Sequence, residues 1–241
     1  MRLIIIRHGQ SANNKHTAKG GGGFNRWPDP KLTKRGRLQA RRLADHWPKV
    51  DAPAPDVVYT SLMLRAVETA APLAAGLGLP VLGHLRMHEV GGVFDGEFLD
   101  CDRGPEPDAR PARGHSAGEL LEACPGLVLP DGVTEDGWYS KGIEWPAQGW
   151  RRAQDLVAEL RDRHGPTDDT VVVVAHNWFA QYLMRAILDW PPGPGGAFTR
   201  WLDLNNTGHI QLWLPGDPAD PDVTVNWVNR TDHLTAKLLT H

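Results

Sequence analysis

Arg7, His8 and Gly9 close the apolar run Leu3-Ile4-Ile5-Ile6, and His176 closes a second run, Val171 to Ala175, far along the chain. Both runs are short, uncharged and β-branched, which suits strands buried on both faces of a parallel sheet. Ligands of open α/β sheets bind just beyond the carboxyl ends of strands, so two such ends would bring two imidazoles together. Arg7 adds a cation that stays protonated, and Gly9 is expected to let backbone approach a ligand. Either histidine alone reads equally well as a packed or surface residue. Arg65 lies four residues after Ser61, on one face of an expected helix whose N-terminal dipole favours an anion. Glu89, in a loop after the apolar segment Leu79 to Leu85, is a carboxylate that can reach the same mouth.

Two guanidiniums, two imidazoles and a carboxylate suit phosphoryl transfer. A phosphate monoester carries about -1.5 to -2 charges at neutral pH, and arginine binds it bidentately. An imidazole with an ordinary pKa near roughly 6.5 can be neutral and nucleophilic at pH 7. Its attack on phosphorus gives a phosphohistidine, which water then resolves. The leaving alkoxide needs a proton, and a carboxylic acid can supply it.

The elements that must position these groups alternate between strand and helix. After the first strand, Asn13 to Lys31 reads as a loop, with Gly20-Gly21-Gly22-Gly23 giving mobility and not a phosphate cradle, since no Gly-Lys-Ser/Thr follows. Thr33 is a candidate N-cap for a helix burying Leu38, Ala40, Leu43 and Ala44, its opposite face of Arg35, Arg37, Arg41 and Arg42 being solvated. Val57 to Tyr59 is a second strand, Thr60-Ser61 caps a helix from Leu62 to about Ala75 disturbed at Pro72, and Leu79 to Leu82 is an edge strand. Residues 97–149 are rich in proline and glycine and read as an insertion folded over the site, with one short helix marked by the capping box Ser116 to Glu119. An amphipathic helix from about Gln148 to His164, the His176 strand and a helix from Trp178 to Leu188 follow. Trp201 to Leu204, Ile210 to Leu214 and Val223 to Val228 alternate like antiparallel edge strands. The expected fold is a single α/β domain over residues 1–241: a three-layer α/β/α sandwich around a mostly parallel sheet with an antiparallel edge.

Composition narrows the function. At 241 residues with 41% hydrophobic content the chain can bury a real core, and a net charge of -3 gives no global field for nucleic acid. No apolar run approaches membrane-spanning length, and the N-terminal run breaks too early for a signal peptide. Cys101 and Cys124 have neither metal spacing nor disulfide density. A cytoplasmic protein without membrane or nucleic-acid partners is the expectation. His84 and His88 are four apart but lack the His-Glu-x-x-His order of a zinc site. Trp138-Tyr139 and Trp145 could line a pocket, and Asn205-Asn206-Thr207 is most simply a turn between strands.

Five stretches then carry a resemblance. They are Arg7-His8-Gly9-Gln10-Ser11 with Asn14; Asp29-Pro30-Lys31-Leu32-Thr33-Lys34-Arg35-Gly36 with Gln39-Ala40; Tyr59 through Ala70; Glu89; and Val174-Ala175-His176. In this order the chain resembles the histidine phosphatase superfamily, also called phosphoglycerate mutase-like. The resemblance implies that His8 is the nucleophile, that Arg7, Arg65 and His176 bind the phosphoryl oxygens, and that Asn14 adds a hydrogen bond. It implies Glu89 as general acid and then base, with Asp95 and Glu97 as rival carboxylates, and a small phosphorylated substrate with neither metal nor organic cofactor. Asn177 departs from the family, which more often has glycine there. A phosphatase is favoured over a cofactor-dependent mutase, because His88-Glu89-Val90-Gly91-Gly92-Val93-Phe94 lacks the arginine- and tyrosine-rich stretch that goes with mutases. The third reading, a non-catalytic phosphate-binding regulator, would be expected to lose His8, Arg65 or His176, and all are present.

Overall fold

In a computed structural model the described residues are all but 22–25, 51, 97, 101–103, 106–108, 199–200, 218–219 and 221. Seven strands form the main sheet: β1 (Arg2–Arg7), β2 (Val57–Ser61), β3 (Val81–His84), β4 (Leu127–Val128), β5 (Thr170–Ala175), β6 (His209–Trp213) and β7 (Thr224–Arg230). Their spatial order is β7-β6-β1-β5-β2-β3-β4. Strands from β1 through β4 in that order pair in parallel, and β6 and β7 add the antiparallel edge. Helices α1 (Ala12–His16), α2 (Lys34–His46), α3 (Leu64–Leu77), α4 (Ala117–Ala123), α5 (Pro146–His164) and α6 (Asn177–Ile187) complete it.

The central strands are apolar throughout because both faces are covered. Leu3, Ile5, Val171 and Val173 point into a core with α5 and α6, while Ile4, Ile6, Val172 and Val174 point into another with α2, α3 and α4. That is the expected three-layer sandwich. Arg7 pairs with Ala175 in register, so the next residues, His8 and His176, leave the sheet side by side. No described helix is long and apolar enough to cross a membrane.

Several local expectations are corrected. The loop expected after β1 opens with α1, where Ser11 and Asn14 form a reciprocal capping box. Gly20 is in the left-handed region there, whereas Gly22 and Gly23 lie outside the described residues. Thr60 and Ser61 end strand β2 and do not begin a helix; α3 starts at Leu64 and runs through Pro72 to a left-handed Gly78. The α3 cap comes from far away: Asp29 Oδ1 accepts from Leu64 N at 3.0 Å. The β3 strand is not an edge, because Leu127 and Val128 from the expected insertion pair outside it. Helix α5 begins at Pro146, two residues before its expected start at about Gln148. Trp201 to Leu204 form no strand: the Gln181 side chain takes both the N–H and the carbonyl of Leu202, at 2.8 Å each.

Gly9 also makes a close approach within the chain itself. A Cβ at Gly9 would lie 2.7 Å from the Gly36 carbonyl, and a Cβ at Gly36 would lie 2.1 Å from the Gln10 carbonyl. The two glycines let the strand end rest on the first turn of α2, backbone on backbone. Gly36→Ala is therefore expected to cost about 1–3 kcal/mol of stability through overpacking. Chemical denaturation reads this directly, and an unchanged midpoint at equal slope would contradict the close approach.

Candidate active site

His8, Arg7, Arg65 and His176 converge at the ends of β1 and β5 and the start of α3, and all four are buried. His8 Nδ1 lies 2.6 Å from the Gly9 carbonyl, an acceptor only, so Nδ1 carries the proton. Arg65 Nε donates to His8 Nε2 at 3.1 Å, which assigns the lone pair to Nε2. The His8 and His176 rings stand 5.2 Å apart between centroids. Burial first, and then the charge of Arg65, holds both imidazoles well below the ordinary histidine pKa. Both are neutral bases at neutral pH.

His176 is fixed by a residue not singled out from sequence for this purpose. Its Nε2 lies 2.8 Å from Ser61 Oγ, which itself accepts from Met63 N at 3.2 Å. The other ring nitrogen of His176, Nδ1, is buried and has no partner among the described residues; it is the one that carries the proton when the Ser61 hydroxyl donates to Nε2. Arg7 Nε is likewise buried without a partner among the described residues, while Arg7 Nη1 donates to the Leu204 carbonyl. Burial lowers Arg7 to about 10, against the opposing effect of Glu89 and Asp203, so it remains a cation at neutral pH. Arg65 Nη1 is 3.6 Å from Asp29 Oδ1, and burial raises the Asp29 carboxyl against the effect of Arg65.

Glu89 is held at the mouth by backbone donors. Its Oε1 accepts from Phe179 N at 2.8 Å and from Val90 N at 3.0 Å, and its Oε2 accepts from Trp178 N at 3.2 Å. Two of these donors are orphan N–H groups of the first turn of α6, which begins immediately after His176. The charge of Glu89 bears on both Arg7 and Arg65. Asp95 does not share this place: it is exposed, and its Oδ1 accepts from Gly96 N at 3.1 Å. Glu97 lies outside the described residues.

Asn14 is linked to His8 through Asn206 but committed at its oxygen, which accepts from Ser11 N, Ser11 Oγ and Asn206 Nδ2 at 3.0, 2.9 and 3.3 Å. Only its amide Nδ2 is left to face an anion. Asn206, expected only as part of a turn, also donates to the His8 carbonyl at 3.1 Å. Beside it Thr207, at φ +60, donates its N–H to the Arg7 carbonyl at 3.0 Å. This turn therefore holds the backbone of both motif residues, a role that a polar Asn-Asn-Thr run does not announce. His84 bonds Glu159, while His88 packs on Trp138 and Tyr139, so the two face different neighbours. Trp138 and Tyr139 are buried against His88, and Trp145 is exposed.

Residues 3–123 match the family model described as histidine phosphatase superfamily (branch 1). The chain is 36% identical over 91 residues to the 2,3-bisphosphoglycerate-dependent phosphoglycerate mutase of Bifidobacterium longum, covering 36% of this chain and 35% of that protein. It is also 36% identical over 91 residues to phosphoglycerate mutase 1 of Saccharomyces cerevisiae, covering 36% and 34%. These matches span about a third of the length of the curated relatives. Among solved structures, the phosphoserine phosphatase of Entamoeba histolytica in complex with 3-phosphoglyceric acid aligns with TM-score 0.58 at 20% identity, over 97% of this chain and 99% of that one. The mycobacterial glucosyl-3-phosphoglycerate phosphatase aligns with TM-score 0.58 at 23% identity, over 95% and 98%. At such identities these structures establish the shared fold. The family model spans half of the chain, and on that ground the chain belongs to the histidine phosphatase superfamily, branch 1.

Proposed function

We propose that the protein is a phosphatase that hydrolyses a small phosphomonoester through a phosphohistidine on His8. The observation that carries this reading is the pair of buried nitrogens with no partner among the described residues, Arg7 Nε and His176 Nδ1 (the latter a donor when the Ser61 hydroxyl donates to Nε2), beside the His8 Nε2 lone pair. Buried polar groups are rarely left unsatisfied, and unmet donors around a neutral nucleophile suit a phosphoryl group. In this mechanism Nε2 attacks phosphorus while Arg7, Arg65 and His176 hold the non-bridging oxygens and Asn14 Nδ2 adds a donor. The bond from phosphorus to the leaving oxygen breaks, and Glu89 in its acid form supplies that oxygen with a proton. Glu89, now a carboxylate, takes a proton from water as the water attacks phosphorus. The P–N bond breaks and inorganic phosphate leaves, with Nε2 restored.

A mutase is the second reading, and the curated relatives favour it by name. Residues 88–94 nonetheless hold no cation beside Glu89 that would grip a second acidic group of the substrate. One experiment separates the two: incubation with 3-phosphoglycerate, with and without 2,3-bisphosphoglycerate, followed by phosphorus NMR. Inorganic phosphate as the product is expected, and net formation of 2-phosphoglycerate would overturn the phosphatase reading.

A further inference from the structure

We infer that Arg152 and Glu144, a buried ion pair outside the strand-end cluster, position Glu89 for proton transfer; the inference rests on the acid role proposed for Glu89. Arg152 Nε and Nη2 meet Glu144 Oε1 and Oε2 at 2.7 and 2.6 Å, a bidentate fork with both side chains largely buried. Beyond Glu144, Arg152 Nη1 donates to the carbonyls of Arg86 and His88, the latter at 3.0 Å. His88 is the residue before Glu89. The Glu144 backbone N–H donates to the Gly91 carbonyl at 3.0 Å, so the pair grips the loop on both sides of Glu89.

The same guanidinium lies 4.0 Å over the Phe179 ring, and Phe179 N is the closest donor to the Glu89 carboxylate. One side chain thus fixes the loop that carries Glu89 and the helix turn that orients its oxygens. A buried ion pair is a poor way to gain stability alone, because desolvation offsets most of its attraction. Retaining one whose remaining hydrogen bonds go to the Glu89 loop is explained by geometry, since an acid misplaced by about 1 Å loses much of its catalytic advantage.

The test is leaving-group dependence in the full chain. Phenyl phosphate needs its leaving oxygen protonated, whereas 4-nitrophenyl phosphate departs with little help. Arg152→Lys keeps the charge but loses the fork, and Glu144→Gln keeps the backbone bond to Gly91 but removes the carboxylate charge that holds the guanidinium in place. Each is expected to lower kcat/KM for phenyl phosphate at least about tenfold more than for 4-nitrophenyl phosphate, in the pattern of Glu89→Gln. Inhibition by inorganic phosphate, which reads Arg7, Arg65 and His176, is expected to stay within about threefold. Circular dichroism identifies any variant that fails to fold, and the other variant then carries the test. Equal losses on both substrates in a folded variant, while Glu89→Gln discriminates, would overturn the positioning role alone. Equal losses in Glu89→Gln itself would overturn the acid role and this inference with it.

Discussion

His8→Ala is expected to cut turnover of 4-nitrophenyl phosphate by about 10⁴-fold or more, the scale seen when a covalent nucleophile is removed. The acid-labile phosphoenzyme trapped by rapid quench should disappear with it. Affinity for inorganic phosphate should not fall, and this contrast makes the prediction specific. In the free protein His8 Nε2 accepts from Arg65 Nε, so His8 contributes no donor on that side. Removing the ring frees Arg65 Nε to meet an anion while Arg7 and His176 stay in place. The remaining supports of the strand end do not depend on the ring: His8 N still reaches the Ala175 carbonyl, and Gly9 N reaches Thr69 Oγ1. Steady-state kinetics and phosphate titration calorimetry read the two halves. Turnover within tenfold of the unaltered protein would remove phosphohistidine from the mechanism.

What the sequence made legible follows from how local each signal is. The runs Leu3 to Ile6 and Val171 to Ala175 announce buried strands because their apolar residues serve both faces at once. Two strand-end histidines then imply a shared mouth before any coordinates are known, and the register of Arg7 with Ala175 delivers it. Thr33 caps α2, accepting from Gly36 N, and Ser116 with Glu119 boxes α4, both being interactions within a few residues. The misses are interactions across long separations. Nothing near Ser61 indicates that its hydroxyl orients His176, 115 residues on. The cap of α3 is Asp29, from a loop 35 residues earlier, so a serine beside the helix start was the natural but mistaken choice. Asn206 supports the His8 carbonyl from 198 residues away. Glu89 could be placed near the mouth from sequence, but not the way helix α6 offers it two backbone donors.

Arg65 is the residue where rate and pH dependence should come apart. It donates to His8, faces Asp29, and is the largest electrostatic influence on both His8 and His176 after burial itself. In the proposed mechanism Arg65→Gln removes a donor to the transferring phosphoryl group, for which a fall in kcat of about 10²–10³-fold is expected. It also removes the positive charge that disfavours protonating the two imidazoles. The sign follows: His8 must be neutral to attack, its proton affinity rises when Arg65 loses its charge, and the acid limb of kcat/KM moves upward, toward the ordinary histidine value. Arg65→Lys separates the two effects. It keeps the charge and loses the planar fork, so the rate should fall while the acid limb stays where it is. Profiles for the three proteins from pH 4 to 8 decide the matter. If the limb of Arg65→Gln coincides with that of Arg65→Lys, the guanidinium charge is not what keeps His8 ready to attack.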